Sequence, residues 1–314
     1  MASLDAGYVK QIALNYKEPV LESRRKFILK IIRDHLSKSA SILLAETGQN
    51  SPPFYPEKIK SIALAKIHIE VDKEGKKIKE WEEGKLIPSE EGFIILLNGK
   101  RFSKKNFSTE IRMRATIAHE IAHTFFYDVD HLPPTRLKLD NIIKNAWEEE
   151  DLCRSFVREL LVPRKHLEEL FKKNDKLSYP SLKNLAELRK KFLASYDILA
   201  YRVILDVKLW NAAYYFYRAL RYESGEAVFK RYFVCKPGKV FKDLKFKPRL
   251  DKYDKENIIF NILTETLKEG KIDKTVKMKD KVLKVESRIQ KDHIVGLVSL
   301  PPDVYFKSKK LFEF

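Results

Sequence analysis

Cysteine is nearly absent from this chain: Cys153 and Cys235 are the two among 314 residues, and no metal-type spacing joins them. That argues against a disulfide framework and predicts a reducing compartment. No run approaches the roughly 18 apolar residues needed to cross a bilayer. Residues 1–30 carry charges throughout and lack the unbroken apolar core and cleavage site of a signal peptide. These absences predict a cytoplasmic protein with no membrane partner. Internal repeats and low-complexity segments are missing as well. Glycine is scarce, at 10 residues, and the lysine-rich, glycine-poor balance is one also met in heat-adapted proteins.

What is present fits a folded chain. Apolar residues make up 44% and charged residues 34%, a globular rather than a disordered balance. The length allows two or three domains, each with its own core. The formal charge of +18 has two readings. A basic surface can bind nucleic acid by releasing counterions, or the excess can be scattered, solvated lysine. The lysines are spread rather than clustered, so nucleic-acid affinity is expected to be weak.

Apolar spacing predicts helix over 7–46, through Ile12, Leu21, Phe27, Ile28, Ile31, Ile32 and Leu36, with a break at Gly48-Gln49-Asn50-Ser51-Pro52-Pro53. A short helix over 55–65 and strands over 67–71, 77–81 and 92–97 follow, separated by turn-forming segments. The last strand, Phe93-Ile94-Ile95-Leu96-Leu97, is apolar on both faces and therefore expected to be buried. A long helix begins near Ser108, with Glu110 in its first turn, and ends before Pro133-Pro134. A second runs over 139–162 and stops at Pro163. Shorter helices are expected over 164–222. Strands with one helix, over 255–269, fill the remainder. The expected divisions are 1–165, 166–223 (helical) and 224–314 (α/β).

The chemistry concentrates in His119-Glu120-Ile121-Ala122-His123. Histidines at i and i+4 share a helix face, so both imidazoles can reach one ion. Glu120 projects from an adjoining face, where a carboxylate can hold a water and take its proton. Ile117, Ala118, Ile121 and Ala122 surround the trio, as expected for a buried helix whose polar groups face a cleft. Two helical histidines flanking a surface glutamate by chance is the alternative. Only seven histidines occur in the chain, which weakens that alternative.

A catalytic zinc needs three protein ligands and an open position. His131 lies close in sequence, but the prolines take it off the helix. The acidic run Glu148-Glu149-Glu150-Asp151 is the better source of the third ligand. Glu149 and Glu150 both project within the apolar face of Leu152, Cys153, Phe156, Val157, Leu160 and Leu161, while Glu148 and Asp151 project away. Periodicity leaves Glu149 and Glu150 as alternatives.

These residues resemble the ImmA/IrrE family of metallopeptidases, whose pattern is a strand ending in Asn, then R-x-R-F-T-x-A-H-E-x-x-H, then E-x-x-A-x-x-F-A-x-x-L-L-x-P. Here the strand is Ile94-Ile95-Leu96-Leu97-Asn98. The second element runs from Arg112 through Arg114, Thr116 and Ala118 to His123. The third runs from Glu150 through Phe156, Leu160 and Leu161 to Pro163. Ala115, Ala122, Cys153 and Val157 depart from the pattern at packing positions. The resemblance covers about 50–205; it has no counterpart over 224–314.

The resemblance implies an α+β, zincin-like (thermolysin-like) domain with a small mixed sheet and an HExxH helix. Aligning Phe156 and Pro163 implies His119, His123 and Glu150 as ligands of one Zn2+ per chain, with Glu120 as catalytic base and Glu149 as runner-up ligand. It also implies a protein substrate, such as a helix-turn-helix repressor of stress or mobile-element genes. The 224–314 segment is by the same analogy a possible sensor. Residues 181–202 have a helix-turn-helix-like pattern, which reads either as DNA contact, with Ser195 capping a recognition helix, or as a packed helical hairpin. Few polar side chains there can read bases, which favours the hairpin. The expected function is a zinc endopeptidase whose strand over 93–97 borders the cleft. A DNA-binding regulator with a structural or vestigial zinc site is the alternative. His131, Tyr127 and Arg114 are the candidates for stabilising an oxyanion.

Overall fold

The run over 7–46 folds as two helices, α1 (Tyr8–Asn15) and α2 (Glu22–Glu46). Glu18 precedes Pro19, and a residue before proline is disfavoured in helical conformation. The computed structural model describes residues 7–18, 20–221, 227–237, 241, 243–278, 281–291, 293–302 and 304. Ile28, Ile32, Leu36, Ala40 and Leu43 are the buried stripe of α2, at the spacing of one helix face. Leu21 and Phe27, counted with them from sequence, are exposed.

The expected helix over 55–65 is a 3₁₀ turn, Pro56–Lys58, followed by β1 (Ser61–Ile62), which pairs antiparallel with β2 (Ala65–Asp72). No strand forms over 77–81. The Asp72 carboxylate accepts from the N–H groups of Gly75 (3.0 Å), Lys77 (2.7 Å) and Ile78 (3.2 Å), so that segment folds back as a loop around it. The strand lies further on, as β3 (Gly84–Ser89), antiparallel to β4 (Gly92–Asn98). β3 contains Gly84 and Pro88, both poor strand formers, which is why its sequence did not read as a strand.

The sheet order is β1-β2-β4-β3, with β2 and β4 parallel. The strand containing Phe93 to Leu97 is therefore interior, and β3 is the edge. This overturns the expectation that 93–97 borders the cleft. Pro88 fits an edge, where a missing ladder donor is tolerated.

Helix α3 (Phe107–Thr124) is capped two residues earlier than expected: Asn106, not Ser108, accepts from the N–H groups of Ser108 and Thr109. A short hairpin, β5 (Tyr127–Asp128) with β6 (Thr135–Arg136), follows. Helix α4 (Ala146–Leu161) begins after the Asn145 cap, so 139–145 is loop rather than helix. Arg25 fastens α2 to this region through Glu148 (2.7 Å) and the Ile142 carbonyl (3.1 Å).

The chain forms two compact units, Met1–Leu167 with Lys191–Ser195, and Glu168–Lys190 with Tyr196–Phe314. Helices α5 (Arg164–Lys173) and α6 (Leu182–Phe192) cross the division. The second unit contains α7 (Tyr196–Tyr201), running into a π-helical turn at Arg202–Asp206. Strands β7 (Ala212–Arg221), β8 (Ala227–Cys235) and β9 (Arg249–Leu250) come next, then α8 (Ile258–Glu269). β10 (Lys271–Met278), β11 (Lys281–Gln290) and β12 (His293–Ser299) complete the unit.

Its strands form one antiparallel sheet ordered β10-β11-β12-β7-β8-β9. Tyr215, Tyr217, Phe229, Val285 and Val298 pack with Ile259, Ile262 and Leu263 of α8 in one core. The segment 166–223 is thus not wholly helical: alternation of Tyr215 and Tyr217 into that core makes 212–221 a central strand. The boundary expected at 224 falls between two paired strands. The architecture is mixed α+β, and among the described residues no helix is long and apolar enough to cross a membrane.

Candidate metal centre

Helices α3 and α4 pack against each other, and each contributes one wall of the centre. The one-turn spacing on α3 brings His119 Nε2 to 3.1 Å from His123 Nε2. From α4, Glu150 places Oε2 3.1 Å from His119 Nε2 and Oε1 3.4 Å from His123 Nε2. Glu149 lies on the other side of His123, with Oε1 2.8 Å from Nδ1. Its second oxygen accepts from Arg136 on β6, and the Arg136 guanidinium lies 5.0 Å from the Tyr127 ring centre. Cys153 Sγ is 3.5 Å from the same Nδ1.

The two glutamates that periodicity could not separate therefore occupy different places. Glu150 faces both Nε2 atoms; Glu149 faces the back of one ring. His119, His123 and Glu150 can hold a metal ion through mutually close donor atoms, and His123, Glu149 and Cys153 form a second such group. The first is the better cradle for zinc. Tetrahedral ligands about 2.0–2.1 Å from zinc lie about 3.3 Å apart; here the two Nε2 atoms are 3.1 Å apart, and one Glu150 oxygen lies 3.1 Å from His119 and the other 3.4 Å from His123. In the second group Cys153 is a fully buried thiol whose pKa is pushed up by burial, a poor starting point for a thiolate ligand.

The electrostatics also favour a cation. At 3.1 Å the two Nε2 atoms need a proton or a cation between them, since bare lone pairs repel. Burial opposes protonation of His123, yet Cys153, Glu149 and Glu150 outweigh it and push the imidazole up to about 12. Hydrogen bonds from His119 and then His123 hold the Glu150 carboxyl far below the usual range. The cluster thus favours positive charge, which a proton on His123 or a cation can supply.

Glu120 is buried and does not join the donor triangle. Burial raises its carboxyl pKa, partly offset by His123 and His119 and by the Leu86 N–H of β3. The close approach of β3 to α3 depends on Gly84, where an added Cβ would lie 2.5 Å from Thr116 Cγ2 and 3.5 Å from Glu120 Cγ.

The three oxyanion candidates differ in setting. Arg114 is fully buried, donating to the carbonyls of Leu193 (2.7 Å), Phe192 (3.4 Å) and Phe54. His131 is exposed, and Tyr127 packs edge-on to Phe93. Sequence reasoning missed Arg136, Gly84 and Leu86, for which no local signal exists. It read Cys153 as packing, although its i+4 spacing from Glu149 was available. No known protein-family profile and no curated protein matches the chain.

Proposed function

We propose that this chain is a zinc-dependent endopeptidase with a zincin-like catalytic unit, one ion being held by His119, His123 and Glu150. The observation that carries the reading is the zinc-sized spacing among His119 Nε2, His123 Nε2 and the two Glu150 oxygens, with the buried Glu120 on the same helix. When bound, the ion supplies Lewis-acid activation of a water and polarisation of a peptide carbonyl. The Glu120 carboxylate takes the proton of the attacking water, and its raised pKa suits it to pass that proton to the leaving amine. Edge strand β3 offers its outer backbone groups to an extended peptide.

The resemblance to the ImmA/IrrE family supports a protein substrate, with a helix-turn-helix repressor as the class to test first, and a cytoplasmic setting. The competing DNA-binding reading finds little support. Helix α7 spans six residues, with Leu199 and Ala200 buried. Arg202 is buried and paired with Asp206 at 3.2 Å, while Tyr196 is bonded to Arg288 at 3.0 Å.

The test is metal analysis of the purified chain combined with incubation against an unstructured protein and the product of any neighbouring repressor gene. About one zinc per chain and cleavage that Glu120→Gln abolishes are expected. Absence of bound transition metal after zinc addition, or cleavage that survives Glu120→Gln, would overturn the proposal.

A further inference from the structure

The second unit carries a row of basic residues across one face of its sheet. Strand register places His293 of β12 opposite Arg218 of β7, Arg218 opposite Lys230 of β8, and Lys230 opposite Arg249 of β9. Directly opposed residues share a sheet face, so the four side chains stand side by side across four strands. Arg218, Lys230 and Arg249 are exposed. Like charges directly opposite one another destabilise a sheet. Edge protection accounts for Arg249 on the outermost strand, and Arg218 stands two strands further in. Arg249 lies 3.8 Å from Asp251 at the row's outer end.

Aromatic rings border this row. Phe216 stacks on His293 with ring centres 4.7 Å apart. The register shift between Phe216 and Tyr217 leaves Tyr232 as an extra residue on β8. That bulge brings the Tyr232 ring edge-on to His293 at 5.3 Å and 5.9 Å from Phe216. Tyr232 is nevertheless 53% exposed. An exposed ring held by two others is a flat platform, and beside it three cations span about 10 Å at the spacing of neighbouring strands.

We propose that this sheet face binds single-stranded nucleic acid, a base stacking on Tyr232 while backbone phosphates follow Arg218, Lys230 and Arg249. Stacking needs an unpaired base, which selects single strands over duplex, and a net charge of +18 favours a polyanion. This surface is independent of the metal centre, so failure of either assignment leaves the other intact.

The experiment is fluorescence anisotropy of the full chain with labelled oligo-dT, oligo-U and a duplex of equal length, between 50 and 200 mM salt. Single strands should bind more tightly than duplex, and preference for dT or U separates DNA from RNA. Tyr232→Ala should weaken binding about tenfold with an unchanged salt slope, and Tyr232→Phe should retain it. Lys230→Gln and Arg249→Gln should each reduce the slope of log K against log salt by about 0.7. Thermal melts matching the parent protein exclude misfolding in each variant. Equal affinity for duplex and single strands, equal affinity for polyglutamate, or no effect of Tyr232→Ala would each overturn the proposal.

Discussion

Glu149 accepts from Nδ1 of His123 at 2.8 Å, while its sequence neighbour Glu150 faces Nε2 of the same ring. Adjacent residues on α4 thus hold opposite sides of one imidazole. Such an outer carboxylate fixes the tautomer, directing the Nε2 lone pair toward an ion. Glu150→Ala is therefore expected to weaken zinc binding by far more than Glu149→Gln, for which about 10–100-fold is typical of an outer partner. Competition against a chromophoric chelator measures both; equal losses would contradict this division of roles.

Glu120→Gln should keep its zinc and lose about 10²–10⁴-fold or more in proteolysis, the range for removing a general base. The amide preserves shape but cannot accept a proton. Metal content and peptide cleavage on the same preparation check this, and loss of zinc would make Glu120 a structural support instead.

Arg114→Met should lower stability by about 3 kcal/mol or more, since buried carbonyls left unpaired cost about 1–3 kcal/mol each. Arg114 supplies donors to Phe54, Phe192 and Leu193. Urea denaturation gives the stability, and zinc affinity of the folded variant should be unchanged. A variant as stable as the parent would show that those carbonyls find other partners.

Acid sensitivity should centre on Arg25. Its hydrogen bond, with a second from Lys144, lowers the Glu22 carboxyl from 4.5 to about 2. Burial raises the Glu148 carboxyl, but Arg25 outweighs it and leaves it lowered. A depressed folded-state pKa stabilises above the unfolded value and is lost as pH falls through the folded one. For Glu22 that window runs from 4.5 down to about 2. The stability gap between parent and Arg25→Leu should be widest near neutrality and close across that window. Urea titrations of the metal-free proteins test this, and a gap independent of pH would contradict it.

The residues of the candidate metal centre divide by the range of the interaction that places them. His119, Glu120 and His123 were legible because helical spacing is local: i and i+4 share a face whatever the helix packs against. The expected helix through Phe125 and the buried strand before it were readable for the same reason, each being a run of regular apolar spacing. Glu149 and Glu150 project within one apolar face, and only the approach of α3 to α4 assigned them to Nδ1 and Nε2. The edge strand was misread because Gly84 and Pro88 carry weak strand propensity, while Asp72 folded the more strand-like 77–81 into a loop. The central strand 212–221 does not read as one locally, because its pairing partners lie on β12 and β8, one of them about 80 residues away. The sequence by itself determined which groups line one helix. Tertiary packing decided which of them meet, because those distances depend on contacts between segments far apart in the chain.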